Sequence, residues 1–143
     1  MGRRTKAREC AFQMLYQWDM TRAAMDDVVE SYWKVRSTTD LTRAMAERLA
    51  RGAQAQVERI DREIALVSRN WRFDRIAAVD RNIIRIGAFE LVNDGDTPSA
   101  VIIDEAVEMA RRFGEADSTA FVNGVLDAIM RRVRGEAKRA GGA

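Results

Sequence analysis

Cationic residues are concentrated at the start of this chain. Arg3, Arg4, Lys6 and Arg8 all precede the first acidic residue, Glu9. Guanidinium and ammonium groups bind phosphate through charge-assisted hydrogen bonds, and the planar guanidinium of arginine can make two such bonds at once. The spacing therefore predicts a phosphate-binding site formed by four solvated cations at the amino end.

Residues suited to catalysis or metal binding are scarce. The chain has no histidine and one cysteine, Cys10. Histidine is the commonest general base and the usual imidazole metal ligand, and no phosphate-binding glycine loop, dinucleotide-binding motif or C-x-x-C pair occurs. Acidic pairs such as 26–27 and 104–105 fall where helix caps or solvated faces are expected. We predict no catalytic residue, no metal and no cofactor, and therefore a binding protein.

The charge distribution separates the ends of the chain from its body. Residues 1–8 and residues 131–143 each carry a net charge of +4, whereas the residues between them carry −6. An acidic body favours a basic protein partner, and a cationic end favours an anionic ligand. No apolar run is long enough to span a membrane, and a single cysteine is typical of a reducing compartment. We therefore expect a cytoplasmic protein with no membrane association.

Apolar residues recur at helical spacing along the first half of the chain. A first helix carries a continuous apolar stripe. A second helix is capped by Asp26 and Asp27, and its inward-facing apolar residues extend to Val35. A third helix runs from Asp40 to Ser68. At 1.5 Å per residue the third helix would be one rod of about 40 Å, with Leu41 on its apolar line. The stripe of the first helix consists of Ala7, Cys10, Ala11, Met14, Leu15 and Trp18.

The second half of the chain is also helical. A short turn contains Trp71, Phe73 and Ile76, and a nearly all-apolar helix at 83–91 must lie centrally. A further helix begins at Thr97 as cap and ends at Gly114, which is expected at the position after the last helical turn. Asp117 or Ser118 caps the last helix. The predicted fold is all-α, with six to seven helices in two small lobes of about 1–69 and 70–135, followed by a flexible basic tail at 136–143.

Three glycines interrupt the helical stripes. Gly52, Gly87 and Gly124 each cost about 1 kcal/mol relative to alanine in a helix interior, which close approach of a neighbouring helix normally offsets. Gly124 has a second interpretation, because Phe121 and Asn123 lie beside it near a helix start and could accept a base or a phosphate. Both interpretations of Gly124 are open at this point.

Four sequence blocks resemble the NusB family of bacterial transcription antitermination factors. They are R-R-T-K-A-R-E-C-A-F-Q-M-L-Y at 3–16, V-D-R-N-I-I-R-I-G-A-F-E-L at 79–91, P-S-A-V-I-I-D-E-A-V-E-M-A-R-R-F-G at 98–114 and S-T-A-F-V-N-G-V-L-D at 118–127. The resemblance implies an all-helical, non-enzymatic protein. It implies binding of the boxA element of nascent RNA together with the ribosomal protein NusE. This assembly modifies RNA polymerase so that it reads through terminators, notably in ribosomal RNA operons.

The resemblance also implies roles for individual residues. Asp80 matches an acidic position expected to contact NusE. Four matched cations would give RNA binding a logarithmic salt dependence of magnitude about three. Some relatives self-associate through the surface that includes the amino end, so a homodimer is also open. The residues matched to RNA contacts are Arg3, Arg4, Lys6, Arg8, Tyr16, Asp117, Ser118, Thr119, Phe121 and Asn123.

Two other classes of protein are open from the sequence. One is a stand-alone RNA-recognition module like that of ribosomal RNA cytosine methyltransferases, whose catalytic half would require several hundred further residues. The other is a helical DNA-binding regulator whose last helix enters a major groove. The last helix lacks a row of arginine, asparagine or glutamine before Arg131, which disfavours the regulator.

Overall fold

The computed structural model describes residues 2–68 and 73–137, and the regular elements in these two ranges are all helical. The all-α prediction is therefore confirmed. Trp71 and the tail from Lys138 lie outside the described residues. The helices are α1 (Arg3–Thr21), α2 (Met25–Lys34), α3 (Asp40–Ala55), α4 (Val57–Val67), α5 (Ala78–Asn93), α6 (Ser99–Phe113) and α7 (Ser118–Arg134), with one 3₁₀ turn (Phe73–Arg75).

Helix α5 is the central element of the fold. All of its residues from Asn82 to Leu91 are buried, and it packs against α1, α3, α4, α6 and α7. The run of apolar residues at 83–91 predicted this central position, because a helix that is apolar on most sides must be covered on most sides. Since α5 contacts helices from both halves of the chain, the two-lobe division near residue 69 stays a prediction.

Helix α1 packs mainly against α3, and α2 covers part of α1. Every residue of the predicted α1 stripe is buried, from Ala7 to Trp18. Small residues on both sides, including Ala11 on α1 and Ala46 and Ala50 on α3, are fully buried and let the two helices approach closely.

The predicted single rod from Asp40 to Ser68 is wrong. The helix is interrupted at Gln56, whose backbone lies at φ −104° and ψ 17°, and α4 starts at the next residue. The break lets α3 pack against α1 while α4 packs against α5 and α7. Two side chains predicted to face inward are exposed instead, Val35 at 78% and Leu41 at 62%.

Several helix starts differ from the predicted caps. Ala24 is the N-cap of α2, so Asp26 and Asp27 lie in its first turn, where their charges favour the positive helix end without capping it. Pro98, and not Thr97, is the N-cap of α6. The caps of these helices make no side-chain hydrogen bond, because an alanine or proline side chain has no acceptor to offer.

The cap of the last helix combines two neighbouring residues. Asp117 is the N-cap of α7 but makes no capping hydrogen bond. Ser118, the first helical residue, instead accepts a hydrogen bond at Oγ from the backbone N–H of Glu115 at 2.9 Å. Gly114 is the C-cap of α6, with φ −98°. A Cβ there would lie 2.5 Å from Ser118 Oγ, so steric space and not φ favours glycine.

The glycines of the helix interiors have different surroundings. A Cβ at Gly52 would lie 2.3 Å from Phe89 Cζ, and one at Gly87 would lie 2.8 Å from Leu126 Cδ1. Close approach is therefore confirmed at both positions. At Gly124 no atom lies within 4 Å of a built Cβ, so the packing interpretation is wrong there.

The contrast between Gly52 and Gly124 predicts opposite effects of alanine. Gly52→Ala should destabilise the protein by about 1–3 kcal/mol, because its methyl group overlaps the buried Phe89 ring. Gly124→Ala should stabilise it by about 0.5–1 kcal/mol, because the site has space and alanine favours a helix. Urea unfolding followed by circular dichroism measures both. A shift of the same sign and size in the two variants would contradict the close approach at Gly52.

Candidate binding surface

The amino end of α1 presents three exposed cations, Arg3, Arg4 and Lys6. The first turn contains no acidic residue, and the N-cap Gly2 makes no side-chain hydrogen bond. The helix dipole adds partial positive charge at this end, so the cations and the backbone N–H groups repel one another until an anion binds. This exposed, acid-free end can accept an anion, and phosphate binding by these three residues stays a prediction.

Arg8 is not part of this exposed group. Its side chain is 2% exposed, and it donates from Nε and Nη2 to both carboxylate oxygens of Glu90 on α5 at 2.7 and 2.8 Å. A third donor reaches Glu105 on α6 at 3.3 Å. Burial alone would lower the pKa of Arg8, but the hydrogen bonds and charge of Glu90 outweigh it and raise that pKa. The prediction that all four cations are solvated is wrong for Arg8, which fixes α1 to the core.

Tyr16 lies in an aromatic cleft beside α1. Its ring is 6.2 Å from that of Phe12, which is in turn 5.5 Å from the ring of Phe113 on α6. The cleft has a volume of about 370 Å³. Tyr16 is half-buried, so one part of the ring packs while the remainder is available to a ligand. The sequence analysis identified Tyr16 but missed the rest of the lining, which is Phe12, Gln13, Gln17, Tyr32, Arg36, Val79 and Phe113.

Phe121 lies in a second cleft, which is acidic. The ring is half-buried at the start of α7, and the cleft has a volume of about 280 Å³. Three carboxyl groups line it, those of Asp80, Glu115 and Asp117, and its one cation is Arg75. Of the other predicted residues nearby, Thr119 is half-buried, whereas Ser118 and Asn123 are buried.

Asp80 has an unusual environment in this acidic cleft. The residue is 8% exposed, and its Oδ1 has no hydrogen-bond partner. Burial raises the pKa of Asp80, the hydrogen bond with Ser118 lowers it, and the negative charges of Asp117 and Glu115 raise it further. A buried acceptor without a partner is costly, so this oxygen favours a donor from a bound molecule.

The clefts of Lys6, Tyr16 and Phe121 are neighbours in the fold, and we refer to these three as the row of clefts. Val79 lines the aromatic cleft and the next residue, Asp80, lines the acidic one. Lys6 lines a third cleft, which shares Gln13, Tyr32 and Arg36 with the aromatic cleft. Lys6 and Tyr16 thus line clefts that share three residues, and the cleft of Phe121 is connected to them only through the neighbouring residues Val79 and Asp80.

Arg3 and Arg4 line a different cleft, of about 490 Å³. Its other lining residues include Arg48 and Asp94, which form a two-point ion pair at 3.1 and 2.9 Å. These two arginines and Phe121 therefore line separate clefts. A ligand that contacts both must extend along the surface.

The arginines at the end of α7 are engaged within the protein. Arg131 pairs with Asp127 at 3.4 Å, and Arg132 pairs with Glu63 at 3.0 Å. Arg134 donates to the carbonyl oxygens of Leu91 and Thr97, both at 2.8 Å, and it also reaches those of Glu90 and Asp94. Within the part of the chain that is described, the carboxyl-terminal arginines therefore stabilise the fold.

No helix in residues 2–68 or 73–137 combines the length and the apolar character needed to cross a bilayer. Within the same ranges, no group of three or more histidine, cysteine, aspartate or glutamate side chains has an arrangement that could hold a metal ion.

The helical fold is shared with solved NusB structures. T. maritima NusB superposes with a TM-score of 0.83 at 32% identity, covering 92% of each chain. A crystal structure of the antitermination factors NusB and NusE in complex with dsRNA has a TM-score of 0.81 at 28% identity, covering 92% of this chain and 98% of that one.

The sequence comparisons agree with the fold. The model of the NusB family matches residues 5–131. The transcription antitermination protein NusB of Sorangium cellulosum is 43% identical over 129 residues, which are 90% of this chain and 92% of that protein. NusB of Anaeromyxobacter dehalogenans is 45% identical over 133 residues, or 90% of each. The chain belongs to the NusB family of transcription antitermination proteins.

The environment of Asp80 predicts that neutralising it stabilises the free protein. Because the folded pKa is raised above the ordinary value of 3.8, ionisation of this group opposes folding above the folded pKa. Asp80→Asn should therefore raise the melting temperature at pH 7, and this gain should disappear below pH 3.8, where aspartate is already protonated in both states. Thermal unfolding at several pH values measures the difference.

Asp40→Asn is the matched control, because Asp40 also lies in a first helical turn but is exposed. Its loss should lower the melting temperature slightly or leave it unchanged, since an exposed carboxylate at a helix start is favourable. Equal stabilisation by the two variants at pH 7 would contradict the assigned cost of ionising Asp80.

Proposed function

We propose that this chain promotes transcription antitermination without catalysis, by binding boxA-type single-stranded RNA together with the ribosomal protein NusE. In this proposal the complex acts on RNA polymerase in the cytoplasm and favours read-through in ribosomal RNA operons. The row of clefts that joins Lys6, Tyr16 and Phe121 and ends at the open carboxylate of Asp80 is the observation that carries the proposal.

The RNA part of the proposal depends on stacking and on charge. Tyr16 and Phe121 are half-buried rings in neighbouring clefts, and unpaired bases stack on such rings at about 1–3 kcal/mol per base. Arg3, Arg4 and Lys6 supply phosphate contacts at the amino end. Family membership supports RNA as the class of ligand, because a solved NusB relative was crystallised with NusE and dsRNA.

The protein part of the proposal depends on the acidic cleft. Asp80 offers an acceptor without a partner, and Glu115 and Asp117 add negative charge beside it. A lysine or arginine from a basic protein would satisfy both the acceptor and the charge. Ribosomal proteins are typically basic, and the same solved relative contains NusE. We assign Asp80 to the NusE contact, and Ser118 to holding Asp80 and the 114–117 turn in place.

The proposal accounts for the remaining predicted residues by their exposure. Asp117 and Thr119 are accessible at the start of α7 and can contact RNA directly. Asn123 is buried, so we assign it a supporting role. Helix α7 buries most of its apolar face, including Val122 and Leu126, and this disfavours insertion of α7 into a DNA groove.

The stacking role predicts a loss of RNA affinity on removal of one ring. Phe121→Ala should weaken binding of boxA-type single-stranded RNA, in the presence of NusE, by about 1–3 kcal/mol. Leu66→Ala is the control, because Leu66 is an exposed apolar residue of α4 that lines none of the four clefts. Fluorescence anisotropy with labelled RNA measures both variants. Equal affinities for folded Phe121→Ala and wild type would refute the stacking role.

The exposed cations predict the salt dependence of the same binding reaction. With Arg8 buried, three cations are available at the amino end, and together they should contribute about two to the magnitude of the logarithmic salt slope for single-stranded RNA. Duplex DNA of equal length should bind more weakly at every salt concentration.

Sizing of the protein alone, with NusE, and with NusE plus RNA tests the assembly and any homodimer. The absence of a ternary complex at low salt would refute the proposed function.

The acidic cleft predicts that Asp80→Asn weakens NusE binding although it stabilises the free protein. Loss of one charged hydrogen bond should cost about 1.5–3 kcal/mol of affinity. Isothermal titration with purified NusE measures this loss, and Asp40→Asn again provides the control. Unchanged NusE affinity in Asp80→Asn would place the contact elsewhere on the chain.

A further inference from the structure

A cleft of about 330 Å³ separates the first turns of α1 from the end of α2, and we refer to it as the α1–α2 cleft. Lys6 lines one side, and Arg36 lies in the loop that follows α2. Neither the sequence motifs nor the family resemblance draws attention to Arg36. The full lining is Lys6, Glu9, Cys10, Gln13, Tyr32, Trp33, Arg36, Ser37 and Thr38.

The two cations of this cleft, Lys6 and Arg36, lack the carboxylate partner that most other cations of the described residues have. Arginines on the neighbouring helices are paired with carboxylates, as in Arg43 with Glu47 and Arg51 with Asp26. Lys6 and Arg36 are exposed, and neither has a carboxylate at ion-pair distance within the described ranges. The one acid that lines the cleft, Glu9, is 7% exposed and is paired with Arg112 at 3.1 Å.

Arg36 is held in a defined orientation. Its guanidinium carbon lies 4.2 Å from the centre of the Tyr32 ring. The Tyr32 ring is itself buried, its hydroxyl donates to Gln13 Oε1 at 2.6 Å, and its edge packs on Trp33 at 4.9 Å. A guanidinium that lies against a fixed ring keeps its N–H groups directed outward at little entropic cost. The cleft is thus prepared for an anion before the anion arrives.

Additional hydrogen-bond donors line the same cleft. Ser37 and Thr38 contribute two hydroxyl groups next to Arg36, in a loop whose side chains make no hydrogen bond at those two positions within the described ranges. Trp33 Nε1 is a buried donor without an acceptor. A cleft with two cations, two hydroxyls and no available carboxylate matches a phosphate group, which offers only acceptors.

We propose that the α1–α2 cleft binds a backbone phosphate of the RNA strand between Lys6 and Arg36, with Ser37 and Thr38 as hydrogen-bond donors. This proposal rests on the proposed RNA-binding function and extends its footprint onto the α2–α3 loop. Gln13, Tyr32 and Arg36 line both this cleft and the aromatic cleft of Tyr16. A strand whose base contacts Tyr16 can therefore continue to Arg36 without leaving the surface.

Arg36→Ala tests the assignment. It should weaken binding of boxA-type single-stranded RNA about three- to fivefold at moderate salt and reduce the logarithmic salt slope by about 0.7. Arg62→Ala is the matched control, because it removes the same charge from an exposed position of α4 that lines none of these RNA clefts. Arg36→Lys should retain most of the salt slope, since it keeps the charge. Equal effects of Arg36→Ala and Arg62→Ala would overturn the proposal.

A second measurement reports on the cleft itself. In protein labelled with ¹⁵N at tryptophan, each indole N–H gives its own NMR signal. The signal that disappears in Trp33→Phe is that of Trp33. RNA should shift the Trp33 signal in wild type and in Arg62→Ala, and this shift should be lost in Arg36→Ala. The same spectrum is recorded with inorganic phosphate at millimolar concentration, to test whether the cleft binds a free anion. A shift with phosphate but none with RNA would overturn the proposal, as would no shift with either.

Different results would refute the proposed function and the phosphate site. If wild-type protein with NusE retains no RNA, the proposed function fails. If wild type binds RNA, Phe121→Ala weakens it and Arg36→Ala behaves as Arg62→Ala does, the phosphate site alone fails. Circular dichroism of Arg36→Ala confirms that the Tyr32 region is folded, and Thr38→Val, which removes one hydroxyl at constant shape, should weaken RNA binding in the same direction.

Discussion

The buried ion pair between Arg8 and Glu90 determines where the amino end of α1 lies. Both side chains are almost fully buried, and two parallel hydrogen bonds join them. Removing one partner of such a pair typically costs about 3–5 kcal/mol, because the remaining charge stays buried. Glu105 receives both Arg8 and the hydroxyl of Thr5, so the turn that carries Lys6 is attached to α5 and α6. The exposed cations are therefore presented from a rigid support.

A second network attaches the other end of α1. Asp19 accepts from Arg81 at 2.7 Å and from Asn82 at 3.0 Å, and Arg85 connects this group to Asp61 on α4 at 2.8 Å. Burial would raise the pKa of Asp19, but its hydrogen bonds and the neighbouring arginines outweigh burial and lower that pKa. This contribution to stability is present above the unfolded pKa and is lost as the pH falls through the folded pKa. Helix α1 is thus fastened to α5 at both ends, with the row of clefts between them.

The helices and the core could be predicted from sequence because both depend on local periodicity. The break at Gln56 could not, since the apolar spacing continues from Leu49 through Ile60 without interruption. The sequence does contain a signal for the burial of Arg8. Arg8 lies at helical spacing with Ala11 and Leu15, which are buried, and Glu90 is the one acid in the mostly apolar run at 83–91. A cation and an acid that both fall on apolar faces indicate a buried pair.

The surface was predictable residue by residue but not as an arrangement. Family motifs identified Tyr16, Phe121 and Asp80 in three separate segments, and only the packing of α1, α5, α6 and α7 shows which of them share a cleft. Arg36 belongs to a loop with no motif, and its orientation depends on the ring of Tyr32 on α2. Sequence periodicity carries no information about such a contact between a loop and a helix face.

The carbonyl groups that Arg134 binds belong to the end of α5 and the turn that follows it, some forty residues earlier in the chain. During synthesis these carbonyl groups are made before Arg134, and until then water must donate the hydrogen bonds that they accept. A nascent polypeptide that stops short of the last turn of α7 would leave the middle of the molecule without this closure. The closure at the end of α5 therefore forms only after the ribosome has synthesised α7 as far as Arg134.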